Sequence, residues 1–139
     1  CRGEVHGGAF LRERRIALDS ALRDRDLGRI FVHELFHFGW LRLGNPLRRS
    51  WEDLLAGECA RGVRGELGWS AEWRKRALQP RRPPARDRRW REYCCESFCD
   101  TAAWLFTAGS HPEFTLAPRF REQRRRWFLR SGVTGRLSI

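Results

Sequence analysis

Apolar positions along this chain follow two periods, short near the start and helical afterwards. Residues 2–18 read as strands, with Gly7-Gly8 as a turn between Glu4-Val5-His6 and the run Ala9 to Leu18. Residues 29–43, RIFVHELFHFGWLRL, are the most apolar stretch. Their length and 3.6-residue period require a helix that is apolar on most sides, hence central and buried. Gly44-Asn45-Pro46 closes it.

Ser50 followed by Asp53 resembles a capping box and opens a short helix through about Arg61. Gly62, Gly65 and Gly68 read as a flexible connector, and Ser70 caps a helix to about Leu78. Residues 79–89, with Pro80, Pro83 and Pro84, form a polar loop where proteolysis is expected first. Residues 88–108 predict a second long helix closed by Gly109. Pro118 opens the last helix, Arg119 to about Arg130, and the tail from Ser131 is polar and peripheral. Strands followed by helices make the class α+β, with a small antiparallel or mixed sheet beside an HExxH helix packed on a second long helix.

Length and composition narrow this further. The chain of 139 residues is one domain, 1–139, and its seven Trp and nine Phe can build a core. No apolar run approaches the ~18 residues of a membrane span. The chain has no Met and opens at Cys1, which reads as a processed or truncated piece. Net charge is +11, which favours an anionic partner such as nucleic acid. Lys75 is the only lysine, so the same charge also reads as a compositional bias toward Arg, and a solvated basic face is preferred. The five cysteines (1, 59, 94, 95 and 99) include an adjacent pair and make a poor disulfide framework. Reduced thiols and a cytoplasmic location are expected.

His33-Glu34-Leu35-Phe36-His37 carries the chemistry. On a helix, His33 and His37 lie one turn apart on one face and can bind one Zn2+. Glu34, about 100° away, can reach a water without being a ligand. Burying these three in an apolar helix is costly unless a metal or hydrogen bonds satisfy them. A catalytic zinc needs a third protein ligand and an open position. Candidates are Glu52, Glu58, Glu96, Asp100 and His111. Glu96 is preferred, because Glu96 and Asp100 are one helical turn apart in an apolar stretch. Glu96 can take the metal while Asp100 accepts the second ring N–H of a ligating histidine. Glu58, 21 residues after His37, is the rival; Cys95 and Cys99 are a minor alternative pair.

An HExxH helix followed by a helix bearing ExxxD resembles the gluzincin metallopeptidases, and the small size resembles the minimal, ImmA/IrrE-type members. The match covers His33 to His37 and Glu96 to Asp100, with Arg15 to Asp19 similar to the edge strand that zincins place before the active-site helix. The long spacer between His37 and Glu96 departs from the pattern. The resemblance implies a zinc-dependent endopeptidase with His33, His37 and Glu96 as ligands, Glu34 as general base and a peptide or protein substrate paired with the edge strand. Tyr93 and His111 are the candidates for stabilising the oxyanion. The alternative is a non-enzymatic basic domain with a closed structural zinc site, binding nucleic acid through Arg81 to Arg89 and the final helix.

Overall fold

The computed structural model describes residues 6–78 and 86–136. Strands β1 (Gly7–Phe10) and β2 (Arg15–Leu18) pair antiparallel, with Gly7 opposite Leu18 and Phe10 opposite Arg15. Helices follow: α1 (Asp24–Arg42), α2 (Asn45–Ala60), α3 (Trp69–Ala77), α4 (Arg88–Phe106), α5 (Pro118–Ser131) and a short α6 (Val133–Arg136). The described residues are mostly helical with one two-stranded sheet, within the expected α+β class. Among the described residues no helix is long and apolar enough to cross a membrane.

The hairpin turn differs from expectation. It lies at residues 11–14, where Arg14 takes a positive φ of 50°. Gly7 and Gly8 are instead inside β1. Gly7 serves a close approach: a Cβ there would stand 2.6 Å from Ile30 on α1. Helix α2 begins at Asn45 rather than Ser50. Pro46 in its first turn starts this helix, since a missing N–H costs nothing there. Ser50 then accepts a hydrogen bond from the Trp127 indole at 2.9 Å.

Helix α4, not α1, is the central element. It is packed by α1, α2, α3 and α5 and buries Trp90, Tyr93, Cys94, Phe98, Cys99 and Ala102 completely. Helix α1 rests on α4 along one face and on the hairpin along another, leaving Phe31 and Leu41 exposed. A two-stranded hairpin is too small to cover the rest of an apolar helix. The core is aromatic: Phe98 stacks on Phe128 at 5.1 Å, and Trp51 meets Trp127 at 4.9 Å. Each such buried ring stabilises the fold by roughly 1.5–3 kcal/mol. The chain after Ser131 is not peripheral throughout, because Val133 is fully buried in this core.

The glycine-rich connector is fastened rather than flexible. The Glu66 carbonyl accepts from the Thr115 and Leu116 amides at 2.9 and 3.0 Å. Gly65, at φ +84°, lies so close to the Thr115 backbone that a Cβ would fall 2.5 Å from its carbonyl oxygen. Most of the expected 79–89 loop lies outside the described residues.

Candidate metal centre

Helices α1 and α4 bring the expected ligands together. The donor atoms of His33, His37 and Glu96 all lie within 4.8 Å of one another. His33 Nε2 is 3.2 Å from one Glu96 oxygen, and His37 Nε2 is 3.9 Å from the other. Tetrahedral zinc with bonds near 2.0–2.1 Å separates its nitrogen and oxygen ligands by about 3.3 Å. The two histidine–Glu96 spacings bracket that value, so the donor set is compatible with the ion. The site is mostly enclosed, with side-chain exposures of 11, 18 and 13% for His33, His37 and Glu96.

Asp100 orients His33. One carboxylate oxygen is 2.7 Å from His33 Nδ1, which leaves Nε2 turned toward Glu96. The other accepts the Ala71 amide at 2.9 Å, in the first turn of α3. Gly68, the N-cap of α3, has no side chain to satisfy that amide, so Asp100 caps the helix from a neighbouring one. The approach requires glycine: a Cβ on Gly68 would lie 2.3 Å from the Asp100 carboxyl carbon. Glu113 caps the same helix, accepting the Trp69 amide at 3.0 Å while pairing with Arg29 on α1. Ser70, expected as the cap, is not used.

The site carries an excess of negative charge. Burial disfavours a charged His33, yet the Asp100 and Glu96 carboxylates outweigh it and push its pKa up to about 10. The same field favours a cation at Nε2. Burial works against ionised Glu96 as well, and the hydrogen bond to His33 still lowers its pKa.

Glu34 is buried beside the ligands, its stem against Gly7 of β1. Among the described residues no side-chain hydrogen bond to its carboxylate is seen. A separate groove of about 370 Å³ between the hairpin and α1 is lined by Leu11, Arg14, Ile16, Leu35, Phe38 and Arg42 and by none of the candidate metal ligands.

Other expected residues lie elsewhere. Tyr93 is fully buried and donates to Glu66 at 2.5 Å, so it does not line the metal centre. It is about 60° from Glu96 around α4, enough to turn it onto the neighbouring stripe. His111 stands at the N-terminal end of α1, 3.5 Å from Asp26, with its Nδ1 accepting the Glu113 amide. Asp26 precedes His33 by two turns, about 10 Å of helix. Glu58 cannot serve as the third ligand, because both its oxygens are held by buried Arg124 at 2.7 and 3.1 Å. Glu52 faces Arg86 at 3.6 Å on the α2 surface.

Two further residues neighbour the centre: Arg74, which had no distinguishing mark in the sequence, and Cys95, which the i, i+4 spacing with Cys99 had offered as an alternative ligand. Arg74 of α3 places its guanidinium 3.3 Å from Glu96, one of many arginines and singled out only by this position. Cys95 lies 3.5 Å from His37 Nδ1. Its thiol is lowered to about 6, first by the hydrogen bond with Cys99, against burial, and then by His37. The described cysteines, Cys59, Cys94, Cys95 and Cys99, are all free thiols.

Comparison with protein-family models, curated proteins and solved structures gives no match for this chain.

Proposed function

We propose that this chain is a zinc-dependent metalloendopeptidase of minimal, zincin-like architecture, with the resemblance resting on its HExxH and ExxxD motifs. One observation carries the reading: the donor atoms of His33, His37 and Glu96 converge within 4.8 Å of one another while Asp100 holds His33 Nδ1 at 2.7 Å. Bound zinc supplies a Lewis-acidic centre that acidifies a water and polarises a carbonyl. His33, His37 and Glu96 hold it. Asp100 keeps the proton of His33 on Nδ1, so that Nε2 presents its lone pair. Glu34 takes the proton of the attacking water on a carboxylate oxygen and returns it to the departing amine. Arg74 is the cation nearest these groups and replaces Tyr93 and His111 as the candidate partner for developing negative charge. A peptide substrate adds along the edge of the β1–β2 hairpin. A cytoplasmic location belongs to the same reading, with free thiols as its support.

The nucleic-acid reading has weaker support. Arg124 of the final helix is fully buried between Glu58 and Glu66, and Arg126 pairs with Glu122 at 3.2 Å. The segment 81–85 of its basic run lies outside the described residues. His111 is remote from a four-ligand zinc site.

The test is zinc content beside peptide hydrolysis in wild type, Glu96→Ala and Glu34→Gln. Wild type should hold about one zinc per chain, Glu96→Ala should lose most of it, and Glu34→Gln should keep it. Hydrolysis in Glu34→Gln should fall at least about a hundredfold. Equal turnover in Glu34→Gln, or full zinc in Glu96→Ala, removes the assignment.

A further inference from the structure

The His37 ring is flanked on both sides. Its Nε2 faces Glu96, and its Nδ1 faces the Cys95 sulfur at 3.5 Å. One turn along α4 from Cys95 stands Cys99. The donor atoms of His37, Cys95 and Cys99 also lie within 4.8 Å of one another. A tetrahedral ion with bonds of about 2.3 Å to sulfur and 2.0–2.1 Å to nitrogen sets those donors about 3.6 Å apart, close to the Cys95–His37 spacing. Cys99 is fully buried and Cys95 half-buried, which protects such a site without closing it. Two sulfurs and one imidazole select soft cations.

We propose that Cys95, Cys99 and Nδ1 of His37 form a second metal site, for a thiophilic d10 cation such as Cd2+ or Cu+, and that filling it disables the His33/His37/Glu96 set. Both thiols release their protons to solvent as the sulfur–metal bonds form, with no change of oxidation state. A neutral imidazole has one lone pair in the ring plane. Once Nδ1 ligates, the ring proton sits on Nε2, which becomes a donor to Glu96 and leaves the first set. The inhibitory consequence rests on the peptidase reading; the site itself does not.

The experiment titrates Cd2+ into reduced, metal-free full chain and follows the near-ultraviolet thiolate-to-cadmium absorption. The band should saturate at about one ion per chain. It should vanish in Cys95→Ser and in Cys99→Ser, and need at least tenfold more Cd2+ in His37→Gln. It should persist in Cys94→Ser and in Glu96→Ala. Alkylating Cys95 in the native wild type should abolish it as well, without relying on a variant that folds. No band in wild type, or a band that survives both serine variants, overturns the site. In zinc-loaded protein, Cd2+ should inhibit hydrolysis by wild type and spare Cys95→Ser; equal inhibition of both overturns the mutual exclusion. A chain that shows the cadmium band but neither binds zinc nor cuts peptide keeps the second site and loses only the peptidase reading.

Discussion

Two polar clusters flank neighbouring stripes of α4, and they are built on opposite principles. On one stripe, Arg124 lies fully buried between Glu58 and Glu66, with Tyr93, Ser97 and Lys75 completing the set. Two carboxylates meet two cations, and each charged group has a close partner. On the other stripe, Glu96 and Asp100 face two imidazoles, with Arg74 at 3.3 Å from Glu96, and the donors point at a common centre. The first cluster is closed and balanced, and welds α2, α4 and α5 to the 62–68 connector. The second is partly open, and its donors converge instead of pairing off one to one. Burial of charge alone therefore does not mark a candidate site; a convergent donor set does.

The largest effect is expected from Arg124→Met. It strands two buried carboxylates and should cost about 3–5 kcal/mol in urea unfolding while leaving zinc per folded chain unchanged. Loss of zinc at full stability would show that the clusters are not separable. The pH dependence of stability should come next. Burial would raise the Glu66 pKa, but Arg124 and its hydrogen bonds hold it down at about 2. A carboxylate depressed in the folded state contributes stability above its ordinary value near 4.5. That contribution, on the order of 3 kcal/mol, is lost as pH falls from about 4.5 through about 2. Acid unfolding followed by circular dichroism should show the loss in wild type and its absence in Arg124→Met.

Asp100→Asn separates the clusters from the other side. Asn leaves one acceptor oxygen for two donors, His33 Nδ1 and the Ala71 amide, and carries no charge, so zinc affinity should weaken about 10–100-fold in chelator competition. The loss of charge at the α3 N-terminus should cost about 1 kcal/mol in urea unfolding. Unchanged affinity would deny Asp100 its orienting role. The smallest effect belongs to Tyr93→Phe, which deletes one hydrogen bond to a buried carboxylate. A stability loss of about 1–2 kcal/mol is expected, with zinc content and hydrolysis rate unaltered. A slower rate with zinc retained would return Tyr93 to the reaction.

The one-turn spacings His33/His37 and Glu96/Asp100 were legible because helix geometry projects such pairs on one face whatever the surroundings. The helices themselves were legible from their period, although α1 and α2 both begin earlier than expected. Tyr93 was misplaced because neighbouring stripes of α4 belong to different clusters, and wheel angle cannot tell them apart. Glu66 had no signal at all: one Glu among glycines acquires its partners only when residues 93, 97 and 124 arrive from distant chain segments.

The sequence by itself determined the α+β class, the two ligand-bearing helices and the residue types that can hold zinc, because these follow from local periodicity and donor chemistry. Tertiary structure alone decided which carboxylates are spent on Arg124 and which remain for a metal. It also placed Arg74 at Glu96, set Cys95 against His37, and made Gly68 the point where Asp100 enters α3. Each of these is a contact between residues more than 20 positions apart, settled by how the helices pack rather than by any pattern along the chain.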